Sequence, residues 1–297
     1  LAMWPSELVV CVLLLYAFLL LSTVWVYAAR KSIALREKIM AWWIFLPAVT
    51  FALLFTAAAG WALCAIILCL GVREVASHLR ADQGHPRLSD LLLCAALCIA
   101  IVWVVWFFTW VGVLVFALAF AAICWLFGHP HQHTRRRAAM CALVLLSSGM
   151  AFLPKLQAQL VDDGRWVLWL CAVTALCDVA QYIAGTTMGK RQVTPSASPG
   201  KTWAGWFGGL VVAVCTSLAL GGALSLATWP PLLAYGVAIA VSGFMGDVSF
   251  SACKRMLGIK DFSSRVPGHG GVLDRVDSLT FTAPTIFILT FFQSASV

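Results

Sequence analysis

Four acids, five bases and one histidine crowd the stretch from Asp247 to Asp277, between two long apolar blocks. It runs Gly246-Asp247, Ser251, Lys254-Arg255 and Lys260-Asp261, then Pro267-Gly268-His269-Gly270-Gly271, then Asp274-Arg275-Val276-Asp277. A loop that only fixes membrane topology needs Lys and Arg; acids and a tight glycine turn serve no such purpose. Asp247 falls at the end of an apolar block, where an acid is costly unless paired or metal-bound. Two carboxylates on separate helix ends form the hard oxygen site that Mg2+ takes, and spacing alone leaves open which of Asp247, Asp261, Asp274 and Asp277 these are. Lys254, Arg255 and Arg275 can neutralise phosphate oxygens. Gly270 and Gly271 let backbone N–H groups come close to an anion. These are the parts of a phosphoryl- or nucleotidyl-transfer site, where positioning and charge neutralisation do most of the catalysis.

A second segment has the same character: Asp178, Gln181-Tyr182, Gly189-Lys190-Arg191, then Ser198-Pro199-Gly200-Lys201-Thr202-Trp203. Gly200-Lys201-Thr202 invites comparison with a P-loop, but that motif needs Gly where Pro195 stands and a strand before it. Asp178 lies about seven residues, or ~10 Å, inside its apolar block. An acid at that depth either serves function or is hydrogen-bonded to a neighbouring helix.

The elements that must position these residues are membrane helices. Of 297 residues, 62% are apolar and 11% charged, against about 45–50% and 25% in soluble domains. The apolar blocks have the length that crosses a ~30 Å hydrocarbon layer as a helix. Ten spans are expected, near 8–28, 40–55, 57–73, 90–107, 110–127, 138–154, 165–185, 204–226, 231–250 and 277–293. The first lacks a basic leader and carries Glu7, so it reads as a span rather than a signal peptide. Alternate loops 29–39, 73–90, 128–139, 186–203 and 251–277 hold 18 of the 20 Lys/Arg, which puts both charged segments on the cytoplasmic side. The fold class is therefore an all-α, polytopic integral membrane protein, one domain over 1–297, with its active site at the cytoplasmic ends of the C-terminal spans.

The net charge of +8 follows from this topology and suits anionic lipid head groups. No basic helix and no aromatics interleaved with charge point to nucleic acid. The eleven cysteines are scattered without a C-x-x-C pair and read as reduced apolar packing residues. His129, His131 and His133, followed by Arg135-Arg136-Arg137, form a weak Zn2+ or Ni2+ pattern; a cytoplasmic loop accounts for the arginines.

The run from Ser251 to Asp277, with its Lys-Arg, Lys-Asp, Pro-Gly-His-Gly-Gly and Asp-Arg-x-Asp elements in order, resembles the signature of the phosphatidate cytidylyltransferases, the CDP-diacylglycerol synthases. The segment from Asp178 to Gly209 is similar to that family's other cytoplasmic segment, and the resemblance extends over about residues 40–295. It implies transfer of CMP from CTP to phosphatidate, with release of pyrophosphate, in phospholipid biosynthesis in a bacterial inner membrane. It implies Mg2+ at Asp247 and Asp274, with room for a second, monovalent cation, and a homodimer. Lys201, Lys254, Arg255, His269 and Arg275 become the expected catalytic residues. Asp178, Ser198, Pro199, Lys201, Thr202, Gly270 and Gly271 become the expected substrate-binding ones. His269 either binds a phosphate and helps pyrophosphate leave or braces its glycine turn. Residues 165–293 would be the catalytic half, and 1–39 an added span and basic loop. Two departures, that added span and Gln181 where a small or apolar residue is expected, point to a paralogous branch and leave another lipid phosphate as the alternative acceptor. The rivals are a CTP-dependent lipid kinase and, less well supported by the charged segments, a transporter. The D-G-x-x-A-R motif of CDP-alcohol phosphatidyltransferases is missing.

Overall fold

The computed structural model describes residues 6–28, 36, 39–40, 43, 46–50, 57–79, 87–129, 134–160, 164–263 and 270–295. Nine long helices run through them: α1 Ser6–Ala28, α2 Ala57–Ala76, α3 Leu88–Phe107, α4 Thr109–Gly128, α5 Thr134–Gln159, α6 Arg165–Met188, α7 Trp203–Ala223, α8 Trp229–Leu257 and α9 Leu273–Ala295. All but α2 contain a fully described segment long and apolar enough to cross a membrane. An all-α polytopic membrane protein is what these helices make. A small antiparallel hairpin between α6 and α7 adds to it: β1 Gln192–Thr194 and β2 Ser198–Thr202, with Gln192 opposite Thr202 and Thr194 opposite Ser198. The expected span 40–55 lies mostly outside the described residues, although Trp43 and 46–50 are helical.

The bundle is organised around α5, most of whose span is buried, and which packs against α2, α3, α4, α8 and α9. The remaining layer is α6 against α7, α7 against α8 and α8 against α9. Outer helices expose large apolar side chains, among them Leu13, Leu92, Leu118 and Phe207. In water such a surface would aggregate; in a bilayer it is the wetted face. A single residue, Phe108, separates α3 from α4. The carbonyls this break strands at the end of α3 are satisfied by Lys155, whose ammonium donates to Val105 O at 2.7 Å and Trp106 O at 2.9 Å.

The helix ends at the hairpin end of the bundle differ from expectation, and the difference matters for the site. The span expected to close at residue 250 continues as α8 to Leu257, and the one expected to open at 277 begins at Leu273. Ser251, Lys254 and Arg255 therefore ride the last turns of a helix, and Asp274, Arg275 and Asp277 the first turns of another. Charge marks where hydrocarbon ends; a helix satisfied by its own hydrogen bonds runs on into water. What stops α8 is Gly258 at φ 71°. Its N–H donates to Arg255 O and that of Ile259 to Lys254 O, each at 3.0 Å, the double closure of a left-handed C-cap.

Candidate active site

Asp247 lies about two turns before the basic residues Lys254 and Arg255 of α8, beside Gly246. The glycine is required there: a Cβ would strike the backbone carbonyl of Asp277. That close approach brings Asp247 against the first turns of α9, where its Oδ1 accepts from Ser278 Oγ at 2.9 Å. Its Oδ2 is ion-paired with Lys201. Lys201 is carried by β2, next to the Thr202 hydroxyl that accepts from Gly205 N–H at 3.2 Å and caps α7. The cap fixes where the strand ends, and so where Lys201 stands. Burial alone would lower the Lys201 pKa, but the charges of Asp247 and Asp178 outweigh it and hold the ammonium above the ordinary lysine value.

About two turns of helix further along, Lys254 pairs with Asp274 Oδ1 at 2.7 Å; the two side chains are 13% and 7% exposed. Asp274 Oδ2 also accepts from the N–H of Phe262 at 3.1 Å and of Gly271 at 2.8 Å. One carboxylate thus gathers α8, both flanks of the last loop and the start of α9. The Gly271 amide, expected to meet a ligand anion, meets this internal one instead. Gly270 beside it adopts φ 75°. Arg255 donates through Nε to Ala197 O at 3.3 Å and ties α8 to the hairpin turn.

Asp178 stands on α6 in the same electrostatic neighbourhood, facing the charges of Asp247 and Lys201. Its Oδ1 is buried with no hydrogen-bond partner among the described residues. A cavity of about 230 Å³ opens here, lined by Asp178, Gln181, Tyr182, Ser198, Gly200, Lys201, Thr202, Gly205 and Trp206. Pro199 is exposed on the same strand. Arg275 feels the charges of Asp277, Asp274, Asp178 and Asp261. His269, His131 and His133 lie outside the described residues. Among the described residues, no group of three or more His, Cys, Asp or Glu side chains is arranged to hold a metal by itself.

Three residues of this region had no part in the sequence reading of the site. Glu74 of α2 is 2% exposed and accepts from the N–H of Val272 at 2.9 Å and of Leu273 at 3.1 Å, at the N-terminus of α9. His78, just past α2, contacts Phe262 O through Nε2 at 2.8 Å. Ser278 joins Asp247 to α9. Only Glu74 left a trace in the sequence, an acid adjoining an apolar block.

The chain matches the model of the cytidylyltransferase family over residues 36–293. It is 51% identical over 122 residues to the uncharacterized protein YnbB of Escherichia coli (strain K12), covering 41% of each chain. It is 31% identical over 176 residues to a phosphatidate cytidylyltransferase of Staphylococcus epidermidis (strain RP62A), covering 58% of this chain and 66% of that one. It is 37% identical over 134 residues to a phosphatidate cytidylyltransferase of Haemophilus influenzae (strain Rd), covering 42% and 46%. Across these three matches it spans between 41% and 66% of the relatives' length.

Proposed function

The chain belongs to the cytidylyltransferase family, and on that premise we propose that it transfers CMP from CTP to the phosphate of phosphatidate, giving CDP-diacylglycerol and pyrophosphate. The observation that carries this reading is the ion pair between Lys201 and Asp247. It joins two segments far apart in sequence into one cluster of acids and bases at one end of the bundle. The phosphate of the lipid is already ionised at neutral pH, so the reaction needs no strong base. It needs two polyanions brought together, and that is a task for fixed cations.

Lys201 and Lys254 are each held by one carboxylate and keep further N–H donors for phosphate oxygens. Arg255 and Arg275 add planar donors suited to gripping two oxygens at once. We assign Ser198, Pro199, Thr202 and Gly270 to substrate contact, and His269 to a phosphate; Gly271, whose amide is taken by Asp274, shapes the turn beside them.

The acids suit Mg2+, which binds through one or two carboxylates together with waters and substrate phosphates. A carboxylate offers about four lone-pair sites. The contacts of Asp274 described above occupy three of these and those of Asp247 two, so both keep capacity, and the buried Asp178 Oδ1 adds an oxygen in need of a partner. We assign Asp247 and Asp274 as its ligands, with room left for a second, monovalent cation. When bound, the ion neutralises phosphate oxygens and favours attack on the α-phosphorus. We place this end of the bundle on the cytoplasmic side of a bacterial inner membrane, count ten spans by including 40–55 and α2, and expect a homodimer.

The test is purified protein in mixed micelles with Mg2+, CTP labelled at the α-phosphorus and a panel of lipid phosphates. Label should move into CDP-diacylglycerol while pyrophosphate is released. Release of CDP with no labelled lipid would mean γ-phosphoryl transfer, and no CTP consumption with any acceptor would end the cytidylyltransferase reading.

A further inference from the structure

Gln181 occupies a position where the family pattern leads one to expect a small or apolar residue. It is 6% exposed on a helix long and apolar enough to span a bilayer. A carboxamide buried there is retained only if its polar atoms find partners. They do: Oε1 accepts from Lys201 Nζ at 3.3 Å, and Nε2 donates to Cys177 Sγ at 3.3 Å. The facing helix makes room for this side chain, since a Cβ on Gly209 would run into Gln181 Cγ.

Lys201 is thereby shared between two helices, Asp247 on α8 and Gln181 on α6. An ammonium has three N–H donors. Two go to these partners, the Phe244 ring lies 5.7 Å from the ammonium, and Lys201 lines the cavity, where its third donor is available to a phosphate. With Asp247 alone, the ammonium could swing about a single contact on a flexible four-carbon stem. With a second, neutral acceptor on α6 its direction is set, and the negative charge facing it is not increased.

We propose that Gln181 is a positioning residue that aims the Lys201 ammonium at the phosphate entering the cavity. This rests on the cytidylyltransferase reading above. A residue that merely fills space at this position would be replaced without loss by an apolar side chain of the same length. A residue that positions Lys201 would not.

The experiment compares wild type, Gln181→Met, Gln181→Asn, Lys201→Ala and the Gln181→Met/Lys201→Ala double variant, by pyrophosphate release from CTP and phosphatidate. Met keeps the volume and removes the acceptor; Asn keeps the amide and withdraws it by one methylene. Both should lower kcat roughly ten- to hundred-fold, the loss of one hydrogen bond to a charged group, with KM for CTP within about two-fold of wild type. In the double variant the Gln181 loss should vanish, to within about two-fold of Lys201→Ala alone. Where Lys201→Ala is too slow to measure, Lys201→Arg takes its place, and the Gln181 loss should shrink in that background. Monodisperse elution in detergent checks folding; if Met is not tolerated, the Asn variant decides. Wild-type turnover in the Met variant, or a loss that persists undiminished in the Lys201 background, overturns the proposal and leaves the function standing. A wild-type protein that releases no pyrophosphate fails the function and this inference with it.

Discussion

Replacing Glu74 by Gln tests whether α2 holds the last loop in place. Glu74 is buried, and its two oxygens accept from the N–H groups of Val272 and Leu273. The amide side chain keeps one acceptor. Its other atom becomes an NH2 turned toward an N–H donor, and the negative charge at the N-terminus of α9 is gone. A hydrogen bond to a charged group contributes about 1.5–3 kcal/mol, and a charge at a helix N-terminus up to ~2 kcal/mol in a partly buried setting. The two overlap, so we take about 2–3 kcal/mol for the local cost, which corresponds to a roughly 30- to 150-fold shift in a local opening equilibrium. Hydrogen exchange followed by mass spectrometry on detergent-purified protein reads this directly. A peptide covering 270–280 should exchange faster by that factor in Glu74→Gln, while a peptide from α7 stays unchanged. If the 270–280 peptide exchanges at the wild-type rate, the carboxylate does not anchor α9 and the reasoning fails. If both peptides speed up equally, the substitution has loosened the whole bundle and the claim of a local tie fails as well.

Asp247→Asn and Asp274→Asn should each remove most turnover at saturating Mg2+, with the double variant little slower than either, since members of one catalytic unit are not additive. The two should part in stability. Asp274→Asn breaks a buried pair that also holds two backbone amides and should cost about 3–5 kcal/mol, seen as a much shorter thermal half-life in detergent; Asp247→Asn should shorten it less. Gly246→Ala should cost about 1–3 kcal/mol by forcing α8 away from the Asp277 carbonyl, and should reduce turnover with it. An alanine variant with wild-type half-life and wild-type rate would show that the α8–α9 approach does not set the position of Asp247.

How far the sequence could be read depended on whether the physical cause was local. Helices such as α4 and α7 were legible because a bilayer forces the backbone to satisfy itself over a fixed length. The two charged segments stand out in the sequence because their residue types suit phosphate chemistry, and the pair between Lys201 and Asp247 brings them together. The ends of α8 and α9 differ from the expected 250 and 277 because the charges of 251–277 read as loop, when those from Lys254 to Asp274 mark only the exit from hydrocarbon. The real stop signal, Gly258 after a basic last turn, was present in the sequence and is a recognised one. The hairpin between α6 and α7 was hidden by Pro195, Pro199 and Gly200, which argue for irregular loop. Glu74 could not be assigned from its surroundings, because its partners lie at 272 and 273 and nothing near 74 names them. The sequence offers the Gly271 amide to a ligand; only three dimensions reveal that Asp274 reaches back to it.

The contact from Glu74 to Val272 spans 198 residues of chain, and this has a consequence for how the protein is made. A ribosome adding about 5–20 residues per second needs roughly 10–40 s to travel that distance. Through that interval α2 has left the ribosome and its acid waits for amides that have not yet been synthesised. The first half of the bundle can insert, and α5 can gather its neighbours, but the last loop acquires its footing only when α9 begins to emerge. Assembly of the charged cluster is therefore completed only at the end of biosynthesis, and a chain released before α9 would carry eight of the nine described long helices without the pair between Lys254 and Asp274.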